Sequence, residues 1–267
     1  MDFINLLFIF FFGACVGSFL GVVVDRVPQG KSIVKGRSQC DHCHRKLGFF
    51  DLIPVFSFIF LGGRCRYCHR RLSIFYPVVE LLTGVLFVIV FLTQGIMNPE
   101  SGIMNYVLEN IYYLFIVSIL VAIFFIDLKY GLIPFPFVIF ATVVTFFYLI
   151  LNTKYLLLNN ILAAVGSLLF FLTLFLVTRG KGMGFGDVVY AFFMGLLLGI
   201  PKIVLGLYIA FISGALISLI LIAMKIKKLK GSTIPFGPFL VAGTIISLFW
   251  GDRIISLTFN FLQFTIK

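Results

Sequence analysis

Four cysteines and two aspartates carry most of the chemistry this sequence offers. Cys40-Asp41-His42-Cys43 and Cys65-Arg66-Tyr67-Cys68 are two C-x-x-C pairs with 21 residues between them. Two residues between cysteines let one tight turn aim both thiolates at a single ion, so the spacing fits a tetrahedral four-cysteine zinc site. A site closed by four protein ligands has no position left for water, and the zinc it implies is structural. Arg45, Lys46, Arg64 and Arg66 nearby favour the thiolate form. Two disulfides are the competing reading, disfavoured in a reducing cytoplasm. His42, His44 and His69 flank the pairs, as substitute ligands or as exposed loop residues. Cys15 lies in an apolar run with no helical histidine to activate it, and reads as an apolar side chain.

Asp127 follows the apolar run 116–126, and Asp187 follows Gly182-Met183-Gly184-Phe185-Gly186 at the start of another. Charges at the edge of such runs are costly and ask for a reason. Two carboxylates held together share a proton, so one works as base on water while the other donates to a scissile carbonyl or leaving amine. The roles belong to the pair, and the sequence does not divide them. Gly182, Gly184 and Gly186 allow positive φ and close approach of a substrate strand, with Gly184 and Gly186 as the substrate-binding candidates. The bland reading is that Asp187 is an N-cap. Glu80 reads as a partner for Arg70 or Arg71, Asp25 as a loop or interfacial residue and Asp252 as a loop charge.

The elements that must position these residues are written in the composition. Of 267 residues, 61% are hydrophobic and 12% charged, with 35 phenylalanines; an ordinary soluble domain is about a quarter charged. Lipid is the solvent for most of this chain. A spanning helix needs about 20 apolar residues, and eight candidates appear: 3–24, 74–94, 105–126, 135–152, 156–178, 187–200, 202–224 and 234–250. The sixth is short, and 254–265 is an apolar stretch that extends the eighth or lies at the interface. The N-terminal run lacks a basic flank and is too long for a signal-peptide core, so it is read as a span. The expected fold is an all-α polytopic membrane protein of about eight transmembrane helices, with a small cytoplasmic zinc-binding insert after the first. Its parts are a first helix (1–24), a basic four-cysteine module (25–73) and a membrane-embedded bundle (74–267). No internal repeat stands out.

With 25–73 placed in the cytoplasm and sides alternating, 17 of the 21 Lys and Arg fall in cytoplasmic segments 25–73, 127–134, 179–186 and 225–233. Lys154, Lys202, Arg253 and Lys267 fall opposite. The positive-inside rule then puts both termini outside, in a cytoplasmic (inner) membrane, with the zinc module and both aspartates at the cytoplasmic side. The net charge of +11 is thus topology, and no nucleic-acid partner is expected.

These motifs together resemble the type IV prepilin peptidase family over nearly the whole chain. Gly17-Ser18-Phe19-Leu20 with Arg26-Val27-Pro28 is similar to its N-terminal motif. Cys40 through Pro54, Ser57, Gly63-Arg64-Cys65, Cys68, Tyr76-Pro77 and Glu80-Leu81-Leu82 resemble its zinc-bearing loop and the next helix. Asp127 with Ile133-Pro134, Gly184-Phe185-Gly186-Asp187 and Pro235-Phe236-Gly237-Pro238 resemble its two catalytic motifs and its late motif. The resemblance implies that Asp127 and Asp187 are a catalytic pair and that Cys40, Cys43, Cys65 and Cys68 hold zinc. It implies substrates that are prepilins or pseudopilins, whose short basic leader is cut after a glycine at the cytoplasmic face. In many members N-methylation of the new N-terminus from S-adenosylmethionine follows.

Four positions depart from the family pattern: Gly21 where Asn is usual, Phe58 for a frequent Trp, Phe135 after Pro134, and Val189 for a common Lys. None removes a carboxylate or thiolate. Gly21 and Phe58 fall in the N-terminal half, where the methyl transfer would be sought, and no Gly-rich loop for the methyl donor is identifiable. Two other classes remain. A proton- or cation-coupled transporter would use the intramembrane aspartates, but no inverted repeat is visible. A membrane scaffold would use the zinc module to dock a partner.

Overall fold

The computed structural model describes residues 3–34, 36–40, 42–97, 103–152, 157–224 and 234–265. The expected cytoplasmic segment 225–233, with its four lysines, and Lys154 and Lys267 lie outside these residues. Nine α-helices and no named strand occur among the described residues. They are α1 (Phe3–Arg26), α2 (Phe56–Phe60), α3 (Phe75–Met97), α4 (Ile103–Tyr130), α5 (Phe135–Asn152), α6 (Leu157–Val177), α7 (Phe185–Leu198), α8 (Lys202–Ala223) and α9 (Gly237–Thr265). All but α2 and α7 are long and apolar enough to cross a membrane, seven in all. The sixth expected span is α7, whose 14 residues reach only about 21 Å. The stretch 254–265 continues α9, so Asp252 is helical rather than a loop charge and pairs with Lys202 at 2.6 Å.

The chain divides into two compact units, Met1–Phe125 and Ile126–Lys267. In the first, α1 packs antiparallel to α3 along a seam of small residues. A Cβ on Gly13 would stand 2.8 Å from the Phe87 ring, and one on Gly17 would stand 2.8 Å from Glu80 Cα. Gly21 lies against the Tyr76 ring, so all three glycines, four residues apart, let the helix backbones close. Tyr76 then donates its hydroxyl to Asp25 Oδ2 at 2.7 Å, which makes Asp25 the last-turn carboxylate of α1.

In the second unit the same device recurs. Gly195 of α7 sits where any Cβ would strike the Ala163 carbonyl and Ser167 Oγ of α6. Ser167 Oγ lies 2.8 Å from both the Ala191 carbonyl of α7 and the Ala163 carbonyl of its own helix, and Asn160 donates to the Leu196 carbonyl at 2.8 Å. Gly206 of α8 faces Gly243 of α9. The short α7 is therefore clamped on one flank by α6 and tied to α9 by the buried Tyr190 and Thr244 hydroxyls, 2.9 Å apart.

Candidate active site and metal centre

Asp127 sits in the last turn of α4, not beyond it as expected. Gly131, at φ 66°, takes the left-handed conformation that ends a helix, and its N–H returns to the Asp127 carbonyl at 2.8 Å. Ile133 and Pro134 follow, both buried. Asp187 is reached differently. Arg179 and Gly180, at φ 49° and 72°, turn the chain out of α6. Gly184 is the extended N-cap of α7 (φ −76°, ψ 151°). Asp187 is therefore the third helical residue, not the cap. Its Oδ2 accepts the Gly184 N–H at 3.1 Å, and its own N–H donates to the Gly184 carbonyl at 3.2 Å.

The positive φ expected in the glycine run lies just before it, at Gly180; Gly182, Gly184 and Gly186 do not adopt it. Gly186 serves close packing instead, since a Cβ there would stand 3.0 Å from Ile133. Gly184 remains exposed, with both backbone groups bonded to Asp187.

The two carboxylates, 4% and 7% exposed, lie close enough for their charges to interact. Asp127 Oδ2 has no hydrogen-bond partner among the described residues. It rests against Gly237, the first residue of α9, where a Cβ would be 2.5 Å away. The α9 N-terminus thus turns its positive end toward Asp127. Sequence reasoning quoted Gly237 within Pro235-Phe236-Gly237-Pro238 but gave it no role. Phe236 fixes that start by packing on Phe171 and Phe211.

In the first unit, the four cysteine sulfurs all lie within 4.8 Å of one another, and Cys40 and Cys68 Sγ are 3.8 Å apart. A tetrahedral ion with bonds of about 2.3 Å to sulfur needs S···S edges of about 3.8 Å, so the cluster fits such an ion. All four are free thiols rather than disulfides.

Each pair is built alike. His44 N–H reaches the Cys40 carbonyl and His69 N–H the Cys65 carbonyl, both at 2.9 Å, while Cys40 and Cys65 donate to the Arg45 and Arg70 carbonyls. His44 and His69 both take φ 54°. The segments 38–47 (SQCDHCHRKL) and 63–72 (GRCRYCHRRL) are an internal repeat that the sequence reading missed: the unit is only ten residues long and occurs twice, although its 25-residue offset is a period at which repeats are sought. The histidines are exposed. The Arg70 N–H favours the Cys68 thiolate, yet desolvation and the hydrogen bonds with Cys65, Cys43 and Cys40 push this thiol up to about 11. A divalent cation among the sulfurs would reverse that balance.

Two further carboxylates hold the insert, one misjudged in the sequence and one overlooked. Glu80 pairs with neither Arg70 nor Arg71; its Oε2 accepts the Val55 N–H at 2.8 Å. Asp51, unremarked in the sequence, holds Arg66 Nε at 2.8 Å and the Gly48 N–H at 3.0 Å, bracing the stretch between the pairs.

Known proteins supply the remaining comparison. Residues 11–94 match the family model described as bacterial peptidase A24 N-terminal domain, and residues 114–219 match that of the type IV leader peptidase family. The chain is 30% identical over 255 residues to a prepilin leader peptidase/N-methyltransferase of Bacillus subtilis, covering 93% of this chain and 95% of that one. It is 31% identical to the Legionella pneumophila protein of the same name, covering 92% and 91%. The Pseudomonas aeruginosa protein of that name is 27% identical, covering 94% and 91%. No solved structure matches.

Proposed function

Because the chain belongs to the type IV leader peptidase family, we propose that it removes prepilin or pseudopilin leaders by an aspartic mechanism carried by Asp127 and Asp187. The observation behind this reading is the convergence of two buried carboxylates from α4 and α7, one with an unpartnered oxygen. In the reaction one carboxylate takes a proton from water as its oxygen attacks the scissile carbonyl carbon. The other, protonated, donates to the carbonyl oxygen. Collapse of the tetrahedral intermediate breaks the C–N bond, and the departing amine takes up a proton. Gly184 Cα and the exposed glycine stretch before it are where the substrate backbone lies, and Gly186 keeps that stretch close to Ile133.

The charge bias of the loops supports a cytoplasmic active site and insert in an inner membrane, with both termini outside. Leaders cut after a glycine at that face are the substrates. Zinc is the metal the four thiolates suit, in a structural role. The relatives' names support a second step, in which the new N-terminal amine attacks the methyl carbon of S-adenosylmethionine, displacing the thioether and losing a proton. Nothing in the family membership supports a transporter.

The test is cleavage of a reconstituted prepilin by wild type, Asp127→Asn and Asp187→Asn. Asn is nearly isosteric, so insertion and helix content should persist while cleavage falls by at least about 10³-fold, within the range for lost acid–base groups. Undiminished cleavage by either variant would end the dyad reading.

A further inference from the structure

Residues 49–60, between the two cysteine pairs, pack against the middle of α1 rather than its end. They form a 3-10 turn, Phe49–Leu52, and the short α2. The Phe56 ring stacks on Phe11 of α1, with centroids 5.4 Å apart. Phe11 is 15 residues before the α1 terminus at Arg26, about 22 Å along the helix axis. Val55, bent to φ 63° at the α2 N-cap, donates its N–H to Glu80 inside α3. Irregular backbone at membrane depth needs such a partner, and Glu80 is the residue that neither the peptidase chemistry nor the metal cluster uses.

The outer side of this segment is apolar. Phe49, Phe50, Ile59 and Phe60 are 80%, 69%, 64% and 83% exposed. Its one charge, Asp51, turns inward, its side chain 5% exposed. The feet are basic: Arg45 and Lys46 on one side, Arg64, Arg70 and Arg71 on the other, all exposed. Apolar residues between cationic flanks match a bilayer, hydrocarbon within and anionic headgroups at the rim.

We propose that residues 49–60 are a re-entrant segment that enters the lipid beside α1 and α3, with Glu80 satisfying its bent backbone. The insert expected to be wholly cytoplasmic then has its middle in the membrane. The groove on this segment is lined by Phe50, Ile53, Phe56, Phe60 and Leu61, with Ser57 and Arg66 as its polar members; Arg66 is paired with Asp51 at 2.8 Å, and the apolar members face acyl chains. A protein helix seated there is the rival that the depth and the basic feet disfavour.

The measurement uses the full chain with Trp250→Phe, leaving no other tryptophan, and Phe60→Trp. It is reconstituted in phosphatidylethanolamine–phosphatidylglycerol vesicles carrying bromine in mid-acyl chain. The expected result is blue-shifted emission, quenched by bromolipid and not by aqueous iodide. Adding Glu80→Leu should shift emission to the red and admit iodide, whereas Glu80→Gln, which keeps an acceptor oxygen, should not. Water-like emission quenched by iodide would overturn the proposal. So would shielding from both quenchers, or shielding gained only on adding a prepilin, since each puts protein over the segment. If Glu80→Leu fails to fold, the Phe60→Trp reading alone decides.

Discussion

At the scale of the residue, the candidate dyad depends on a missing methyl group. Gly237 lets the start of α9 approach Asp127, and a Cβ there would stand 2.5 Å from Oδ2. Gly237→Ala should therefore lower cleavage by about 10²-fold, the cost of displacing a catalytic group by an ångström or so, with expression and helix content kept; a cleavage assay beside circular dichroism checks this. Both aspartates were legible because a charge at the end of an apolar run is conspicuous. Their exact stations were not. A charge ends a hydropathy window before it ends a helix, so Asp127 read as lying past α4 although Gly131 is the residue that stops it. Asp187 read as a cap because acceptors favour that position, yet Gly184 can take the extended cap conformation and leave Asp187 to bond back to it.

At the scale of the element, the bundle that carries the site is held by small residues and a few buried hydroxyls. Thr244 donates to the Leu240 carbonyl at 2.7 Å, so the proton between it and Tyr190 comes from the tyrosine. The two partners are then unequal. Thr244→Val leaves a fully buried tyrosine hydroxyl without an acceptor, at about 1–3 kcal/mol. Tyr190→Phe removes the hydroxyl and strands nothing on Thr244, so it should cost less. Thermal unfolding of both variants in detergent should show that order. The helices themselves were readable from composition, since lipid permits little else. Which faces meet was partly readable too: Gly13, Gly17 and Gly21 recur every four residues, a signal that went unused. The pairing of Gly195 with Ala163 and Ser167 also went unused, although Asn160, Ala163, Ala164, Ser167 and Phe171 recur at helical spacing along the buried face of α6.

At the scale of the whole molecule, two sources of order coexist. Lipid imposes the spanning helices, while the ~40 residues around the cysteines surround four thiols placed to hold an ion, and a module of that size is expected to draw much of its order from such an ion. Removing zinc with a chelator should expose the two cysteine-bearing stretches, 36–48 and 61–72, to protease while most helical signal survives. Zinc binding must displace protons from thiols, one of which, Cys68, is pushed to about 11. Acid favours the protonated thiols, so affinity should fall from mildly alkaline to mildly acidic buffer, as competition with a chromophoric chelator would report. The gathering of the four cysteines was the most legible feature of all, because C-x-x-C spacing carries its own geometry. The segment it encloses was the least legible: a run of phenylalanines too short to span reads as loop, and its depth is set by Phe11 and Glu80, far away in the chain.

That enclosure has a consequence in chain statistics. An ion bound by Cys40, Cys43, Cys65 and Cys68 brings together points of the chain 25 residues apart, doing for a reduced protein what a disulfide does for an oxidised one. Closure entropy grows only logarithmically, so doubling the enclosed length would cost about 0.6 kcal/mol. The two ten-residue repeats are therefore a fixed clasp around a segment whose length and composition can drift at little thermodynamic cost, leaving it free to be matched to the membrane it meets.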